Sequence, residues 1–318
     1  MCATIRNAVI TGANGFLGQA LCRNLSKKGI RVFAVVRRET ADVSRIAAFP
    51  GVEIIVSNFS EYRNLSEKIS NCDIDVVYHM AWAGVNGESK QECSVQLTNI
   101  YASCDIVYAC KEMNCSRVVF AASVSEYSIY EMMRTDGTPP AGTLYHSAKL
   151  SADFFMRTLA GKMGMKYVRA LLPSVYGPYF DRKTAIFLHR SMEKLIKGEH
   201  CSFTSAEQMY DFIYVDDAAE AFALLGEKGK SNKTYYVGNP PQQLKKFLIE
   251  MGEEAAPGVE LKFGELSDEG VVLDYNQFYS DAVFEDTGFR PKTGFHEGVR
   301  RTVEWLRQEN LKEIQTNE

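Results

Sequence analysis

Tyr145 and Lys149 stand four positions apart in the segment Tyr-His-Ser-Ala-Lys. If this segment is helical, both side chains lie on one face of the helix, one turn apart. A free tyrosine has a pKa of about 10 and is a poor base at neutral pH, but a nearby ammonium stabilises the phenolate and lowers that pKa. We therefore predict that Tyr145 is a general acid or base toward a hydroxyl or carbonyl group, assisted by Lys149.

Two more polar residues are candidates for the same reaction. Ser123 directly follows an apolar segment at 117–122 that predicts a strand. Its hydroxyl can donate a hydrogen bond to an oxygen that gains negative charge during the reaction. Asn99 lies on the predicted helix before that strand, where its amide could position a water for proton relay. The predicted catalytic set is therefore Ser123, Tyr145, Lys149 and Asn99.

A glycine-rich turn, Thr-Gly-Ala-Asn-Gly-Phe-Leu-Gly at 11–18, follows the first apolar strand and opens the first predicted helix. Gly12 permits a tight turn, Gly15 lets backbone amides approach a pyrophosphate, and Gly18 allows the helix and strand to pack closely. The helix N-terminus adds aligned N–H groups and partial positive charge. The turn predicts dinucleotide binding by Gly12, Asn14, Gly15, Phe16, Leu17 and Gly18. We expect Lys149 to hold the nicotinamide ribose of the same cofactor.

The residues at the end of the second strand indicate which cofactor is preferred, and here they are Arg37 and Arg38. Two guanidinium groups suit a 2′-phosphate, so NADP(H) is favoured. NAD(H) stays possible, because Glu39 could accept hydrogen bonds from a ribose. Asn58 and Phe59, after the third strand, are predicted to contact the adenine.

Strand and helix patterns alternate through the first half of the chain, which predicts an α/β fold. The expected architecture is a Rossmann-type doubly wound parallel sheet with a smaller, mainly helical C-terminal substrate region. We assign 1–172 to a dinucleotide-binding domain and 173–318 to the substrate-binding region. The two are expected to interleave, because strand-like segments at 212–215 and 234–237, within the span 211–237, could return to the first domain. The other expected strands are 8–10, 31–36, 52–56, 75–80, 117–122 and 166–172, and the main expected helices are 16–28, 93–113, 145–162, 186–197 and 244–251.

The composition and net charge of the chain limit the classes of partner that we expect it to bind. The 318 residues carry 36 basic and 40 acidic side chains, for a net charge of −4, so no basic footprint for nucleic acid is present. The eight cysteines show no metal-ligand spacing, so no metal site is predicted, and we expect them to be reduced. No apolar run approaches the roughly 20 residues of a membrane span, and the N-terminus lacks a signal-peptide layout. We expect a cytoplasmic protein with no membrane partner.

Taken in order, these motifs resemble those of the extended short-chain dehydrogenase/reductases, nearest the branch of nucleotide-sugar epimerases, dehydratases and 4-ketoreductases. The resemblance covers nearly the whole chain, through 11–18, His79-Met80-Ala81-Trp82, Ser123, 145–149, 173–178 and 211–217. It implies a nucleotide-diphosphate sugar in a cleft between the two regions and a homodimer built on helices 93–113 and 145–162. It also implies cofactor contacts from Met80, Ala81, Trp82, Ala121, Tyr145, Pro173 and Val175, and substrate contacts from Trp82, Ser123, Val124 and Tyr145.

The sequence departs from this family pattern in two places. Dehydratases carry an Asp-Glu pair directly after the position of Ser123, where this chain has Val124 and Ser125. Dehydration is therefore not expected, and Glu126, one place further on, should point elsewhere. An arginine that often holds the nucleotide phosphates is replaced by Tyr210, a candidate substrate residue itself. The phosphates would then need Arg182, Lys183 or Arg190.

Three functions follow as hypotheses. The first is NADPH-dependent reduction of a nucleotide-linked 4-keto-6-deoxy sugar, with Tyr145 as the acid and Ser123 steadying the oxyanion. The second is 4-epimerisation with retained NAD, and the third is a non-enzymatic NADP(H)-sensing regulator. A reductase for apolar carbonyl compounds is a further possibility, because Tyr210 removes one phosphate anchor.

Overall fold

The computed structural model describes residues 5–69, 73–134, 139, 142–267 and 272–317; Cys2 and Cys72 lie outside these ranges. The strands of the described chain are β1 (Asn7–Thr11), β2 (Arg31–Val36), β3 (Val52–Val56), β4 (Val76–His79), β5 (Arg117–Ser123), β6 (Lys166–Leu172), β7 (Ser174–Tyr176), β8 (Met209–Tyr210), β9 (Phe212–Tyr214), β10 (Lys233–Tyr236) and β11 (Gln242–Gln243). Seven of them form one sheet in the order β3-β2-β1-β4-β5-β6-β10, with every neighbouring pair parallel. This is the doubly wound arrangement that the sequence predicts.

The helices cover both faces of this sheet. Within the described residues they are α1 (Phe16–Lys27), α2 (Ser44–Ala47), α3 (Leu65–Lys68), α4 (Cys93–Glu112), α5 (Ser128–Met132), α6 (Thr143–Lys162), α7 (Phe187–Ile196), α8 (Val215–Lys228), α9 (Leu244–Ala255), α10 (Ala282–Thr287) and α11 (Phe295–Asn317). Helices α1 and α8 pack together on one face, and α4 and α6 pack together on the other. None of the helices in these ranges has both the length and the hydropathy to cross a bilayer.

Side-chain alternation along the strands assigns each residue to one of two cores. On β1, Ala8 and Ile10 face the α1–α8 side, whereas Val9 faces the α4–α6 side; on β2, Phe33 faces the α4–α6 side. This follows from the period of two in a strand. Both faces of the sheet are apolar, and fully burying each large side chain stabilises the fold by about 1.5–3 kcal/mol.

The smaller region has its own core and one pairing that the sequence did not predict. β9 pairs in parallel with β7, outside the main sheet, so the expected return of 212–215 to the first domain is wrong for that strand. β10 does join the main sheet, beside β6. Rings of Tyr176, Phe212, Phe247 and Phe295 pack together where helices α7, α9 and α11 cover β7 and β9. The chain returns to the sheet through α8, which follows β9 without a break.

Asp216 and Asp217 lie in the first turn of helix α8, which starts at Val215. Asp216 pairs with Arg23 of α1, and Asp217 accepts a hydrogen bond from the N–H of Thr293 at 2.9 Å. Both carboxylates therefore tie α8 to other elements, while their position in the first turn still complements the helix dipole.

Candidate active site

The glycine turn after β1 lies directly against the loop after β4. Gly12 has a φ of +69°, and a Cβ added to it would lie 2.9 Å from the backbone of Ala81. A Cβ on Gly18 would lie 2.2 Å from the carbonyl oxygen of Gly12, so Gly18 packs against the turn itself, whereas we expected it to pack against the strand. The chain has therefore brought two backbone segments together at the point where the sheet order reverses, which is where such folds bind ligands.

A directional chain of hydrogen bonds locks these two strand ends. The Thr11 hydroxyl accepts from the N–H groups of Met80 and Ala81, at 3.2 Å each, and therefore donates its proton to Nδ1 of His79, at 2.8 Å. Nε2 of His79 then donates to the hydroxyl of Ser103 at 3.0 Å. Burial lowers the pKa of His79 to about 3, so the ring is neutral. Both partners of the His79 ring are therefore side-chain hydroxyls.

A cleft of about 790 Å³ opens from this junction, within the 300–1,000 Å³ range of ligand pockets. The predicted cofactor residues that line it are Gly12, Asn14, Gly15, Phe16, Arg37, Arg38, Phe59, Met80, Ala81 and Trp82. The cleft fits a dinucleotide, because a backbone cradle that a Cβ would fill lies at one end of it and a group of arginines lies beside β2.

Trp82, the next residue along from the junction, lies between the cleft and the predicted triad. Its ring is 6.1 Å from the ring of Tyr145 in an edge-on arrangement, and the Nζ of Lys149 lies 4.1 Å from its centroid. Nε1 of Trp82 donates to Oε1 of Gln96 at 3.1 Å, which fixes the indole. The indole of Trp82 therefore contacts Tyr145 and Lys149 and also lines the cleft.

The ammonium of Lys149 has partners that spacing alone did not predict. Nζ donates to the carbonyl oxygen of Ala121 at 2.7 Å and lies 4.8 Å from the ring centroid of Phe120. Burial lowers the pKa of Lys149 to about 8, against the carboxylate of Glu126, which raises it, while the cation of Arg169 lowers it further. The ammonium therefore loses its proton much more readily than a surface lysine does.

Ser123 and Tyr145 are brought together as predicted. A hydrogen bond from Ser123 lowers the pKa of the Tyr145 phenol, but burial and the negative charge of Glu126 raise it by more, so the phenol is held above its usual pKa. The hydroxyl of Ser123 also hydrogen-bonds that of Ser125 at 2.8 Å. By itself the protein keeps Tyr145 in its protonated, proton-donating form, whereas we expected Lys149 to favour the phenolate.

Several predicted residues have other partners. Both ends of the Asn99 amide bond the backbone of Ala83, at 2.8 and 2.9 Å, so this side chain holds the loop after β4. Val124 is buried in the core of the α4–α6 face and does not line the cleft. Asn58 caps a short 3-10 helix by accepting from the N–H of Ser60 at 2.9 Å, so Phe59 alone of that pair reaches the cleft.

Of the predicted phosphate partners, Arg182 is engaged elsewhere. Arg182 pairs with Glu193 of α7 at 2.8 Å and donates to Asn310 of α11 at 2.9 Å. Arg190 is exposed on α7, and nothing is described of the side chain of Lys183. The hydroxyl of Tyr210 hydrogen-bonds that of Ser174 at 2.8 Å, and its ring packs in the aromatic cluster. None of Leu17, Gly18, Ala121, Pro173 and Val175 lines the cleft, although Ala121 holds Lys149 through its carbonyl.

Sequence reasoning missed three residues that help to form the site. Arg45 lines the cleft, and its guanidinium lies 4.6 Å from the ring centroid of Tyr179, a residue with a φ of +72° on the opposite wall. Nζ of Lys90 lies 5.0 Å from the ring centroid of Tyr145. Arg45 is a basic residue seven positions after Arg38, which is a readable signal, whereas nothing local indicates Lys90 or Tyr179.

The sheet order, the glycine junction and the Ser–Tyr–Lys set together define a dinucleotide-binding enzyme of Rossmann type. Residues 8–238 match the model of the NAD dependent epimerase/dehydratase family, and the chain belongs to that family. The resemblance inferred from the motifs is thereby confirmed, and the reading as a non-enzymatic regulator is set aside.

Known proteins of this group match the chain over nearly its whole length. The dTDP-D-glucose 4,6-dehydratase of Bos taurus is 23% identical, over 95% of this chain and 89% of its own. The structure of the UDP-glucose 4-epimerase of Thermotoga maritima with UDP-glucose has a TM-score of 0.77 at 23% identity, covering 96% of this chain and 99% of that one. The Bordetella bronchiseptica enzyme WbmF, in complex with NAD+ and UDP, has a TM-score of 0.77 at 19% identity, covering 98% and 94%.

The lowered pKa of Lys149 predicts a pH limit on activity. Because the pKa falls to about 8, the ammonium is present below that pH and is lost as the pH rises through it. If turnover needs the charged form, kcat/KM declines above about pH 8 with any ketone that the enzyme reduces. Arginine stays charged beyond about pH 12, so the residual activity of the Lys149→Arg variant should be flat across this range. A wild-type profile with no decline there would contradict the role given to Lys149.

Proposed function

We propose that this protein reduces a ketone on the sugar of a nucleotide-diphosphate sugar with NADPH, and that a 4-keto-6-deoxy sugar is the favoured substrate. The observation that carries the proposal is the group of three guanidiniums, Arg37, Arg38 and Arg45, which line the cleft beside β2 and form no ion pair with any carboxylate of the described residues. Unpaired guanidiniums suit a 2′-phosphate, the group that distinguishes NADPH from NADH.

The acidic residues near these arginines are poorly placed to accept hydrogen bonds from the ribose hydroxyls of NAD(H). Asp42 lines the cleft, but its carboxylate accepts hydrogen bonds from the N–H and the hydroxyl of Ser44, at 3.0 and 2.7 Å. Glu39, which we considered as a partner for NAD(H), is exposed and does not line the cleft. A reductase draws on a pool of reduced cofactor that exchanges at each turnover, so a preference for NADPH fits reduction.

The protonation state of the triad also supports reduction. Bound NADPH would supply the hydride to the carbonyl carbon. Tyr145, protonated because burial raises its pKa, would donate its proton to the carbonyl oxygen, and the Ser123 hydroxyl would donate a hydrogen bond to the same oxygen as it gains charge. Trp82 would wall off the reacting carbon from water. The product is an alcohol, with one hydride and one proton added to the carbonyl group.

The direct test measures NADPH oxidation with a panel of nucleotide-linked keto-sugars. We expect steady consumption of NADPH by wild type and a loss of about 10²–10⁴-fold in kcat for Tyr145→Phe, because the variant keeps the ring but has no proton to donate. Tyr279→Phe, which removes a hydroxyl from an exposed ring, is the matched control and should turn over normally. Equal rates for the Tyr145→Phe variant and wild type would refute the mechanism.

The arginine group gives a separate prediction about cofactor choice. Arg38→Ala removes one charge-assisted contact with a 2′-phosphate, which weakens NADPH binding by about 10–100-fold and leaves NADH binding nearly unchanged. Arg31→Ala is the control. Arg31 lies at the first position of β2, at the opposite end of the strand from Arg37 and Arg38, and it pairs with Glu53. Isothermal titration of both cofactors measures the difference. An equal loss for NADPH and NADH would contradict a 2′-phosphate site.

A second candidate, 4-epimerisation with retained NAD, is favoured by the way the walls of the cleft meet. The side chain of Asn86 donates to the carbonyl oxygen of Thr184 at 2.8 Å, and Arg45 lies over the ring of Tyr179. Contacts across the mouth would slow the release of cofactor, which suits an enzyme that keeps it through each cycle. Stoichiometric NAD released on denaturing the purified protein, with sugar conversion and no net oxidation of NADPH, would establish the epimerase instead.

We also propose a homodimer through the outer faces of α4 and α6. Large apolar side chains are exposed along these adjacent helices: Tyr101 is 71% exposed, Phe154 53% and Phe155 55%. Large apolar side chains exposed on two adjacent helices are typical of an interaction site. Light scattering should give twice the mass of one 35.7 kDa chain, and Phe154→Glu should shift it to monomer, whereas Phe284→Glu on α10 should not. A monomeric wild type would sink this proposal.

A further inference from the structure

The proposed triad comes from two separate elements. Ser123 ends β5, whereas Tyr145 and Lys149 lie on α6, which begins twenty residues later. A catalytic set must hold its groups within about 0.5 Å of the productive geometry, so something must fix the Ser123 turn relative to the helix. Between these two elements lies a set of charged side chains that the proposed reaction does not use.

Glu126 holds the first element. Its side chain is fully buried, and Oε1 accepts a hydrogen bond from the backbone N–H of Ser123 at 2.7 Å. The Ser123 hydroxyl in turn accepts from the N–H of Ser125 at 3.3 Å, so the two residues form a reciprocal capping box. As expected, Glu126 points away from the cleft: Oε2 accepts from Nη2 of Arg169 at 2.5 Å. A buried carboxylate therefore holds the backbone of the turn that bears Ser123.

Arg169 of β6 carries the link to the second element. Its guanidinium, 5% exposed, also lies 3.5 Å from the Oδ2 of Asp153, which is on α6 one turn beyond Lys149. Asp153 accepts a further hydrogen bond from the hydroxyl of Tyr167 at 2.6 Å, and Arg157 approaches it from the solvent side at 3.6 Å. One arginine therefore joins the turn that bears Ser123 to the helix that bears the other two residues.

We propose that Glu126, Arg169 and Asp153 are positioning residues that lock the Ser123 turn to helix α6 and keep Lys149 charged. This inference rests on the proposed function for the role of the triad, but its central claim concerns Lys149 itself. Glu126, Asp153, Arg169 and Lys149 are all buried, two of them acidic and two basic, and Arg157 adds a partly exposed cation beside Asp153.

The charges around Lys149 act in opposite directions. Burial and Arg169 favour the neutral amine, and the carboxylate of Glu126 favours the ammonium. Around the same ammonium lie the carbonyl oxygen of Ala121 and the rings of Trp82 and Phe120, and none of these carries a charge. His79, whose pKa Lys149 helps to lower, is neutral. Glu126 and Arg169 are therefore the two groups whose removal should move the protonation of Lys149, in opposite senses.

Stability alone does not account for such a set. Replacing a buried ion pair by neutral groups of similar shape is often harmless to a fold, whereas removing one partner leaves a buried charge uncompensated. The double variant Glu126→Gln/Arg169→Gln is therefore a control in which the packing is kept and the charges of both Glu126 and Arg169 are gone.

The experiment titrates Lys149 directly, by NMR of protein labelled at the lysine side chains, with Lys149→Arg used to assign the signal. In Glu126→Gln the pKa of Lys149 should fall by about one pH unit, because the attraction of the Glu126 carboxylate is lost while the cation of Arg169 remains. In Arg169→Gln it should rise by a similar amount. In the double variant it should lie between those of wild type and Glu126→Gln. Glu53→Gln, which breaks an exposed pair with Arg31, should leave it unchanged.

The opposite signs keep the proposal open to refutation. If Glu126→Gln does not fold, Arg169→Gln carries the test alone, and a lysine pKa that is unmoved or lowered there overturns the proposal. Identical Lys149 pKa values in all the variants would make the set merely structural. The titration needs no substrate, so its result stands even if no keto-sugar is reduced. Where turnover is found, the alkaline limit of kcat should move with the lysine pKa, while KM for NADPH stays nearly constant.

Discussion

The contact between the turn after β1 and the loop after β4 is the constraint on which the rest of the site depends. Gly12 meets the backbone of Ala81 so closely that a methyl group cannot be inserted, and the Thr11 hydroxyl accepts from the two N–H groups that the loop presents. Without this junction the two strand ends would separate, and no cradle would remain for a pyrophosphate. The bond from Thr11 to the neutral His79 extends the same restraint into α4 through Ser103.

The junction also positions Trp82, whose ring contacts Tyr145 and Lys149. Trp82 follows Ala81 directly, and two amide side chains of α4 hold the loop beyond it. Gln96 accepts from the indole and donates to the carbonyl oxygens of Gly84 and Ser89, at 3.0 and 3.2 Å, while Asn99 bonds Ala83 on both sides. One helix therefore sets the shape of the cleft and the position of the ring that touches Tyr145 and Lys149. A shift of α4 would therefore change both the shape of the cleft and the position of the Trp82 ring.

Burial, more than pairwise attraction, controls the protonation of the site. It raises the pKa of Tyr145 and lowers that of Lys149, so the acid keeps its proton while the ammonium is close to losing its own. It also lowers the pKa of His146 to about 4, with a further lowering by Lys90, so this neighbour of Tyr145 is neutral. The carboxylate of Glu126 opposes burial at Lys149, whose charged form it favours, and acts in the same direction as burial at Tyr145, whose protonated form it favours.

Local patterns in the sequence were enough to predict the order of strands and helices, the glycine turn and the closeness of Ser123 to Tyr145. Strands β2, β3 and β6 have the predicted bounds, because period-two and period-3.6 burial patterns are local properties of the chain. The partner of β9, the backbone role of Asn99 and the burial of Val124 were not predictable in this way. Each depends on a segment far along the chain, as does the link from Glu126 through Arg169 to Asp153. Spacing determined which residues could do chemistry, but only the tertiary structure decided their protonation and their partners, because desolvation and long-range ion pairs exist only once the chain has packed.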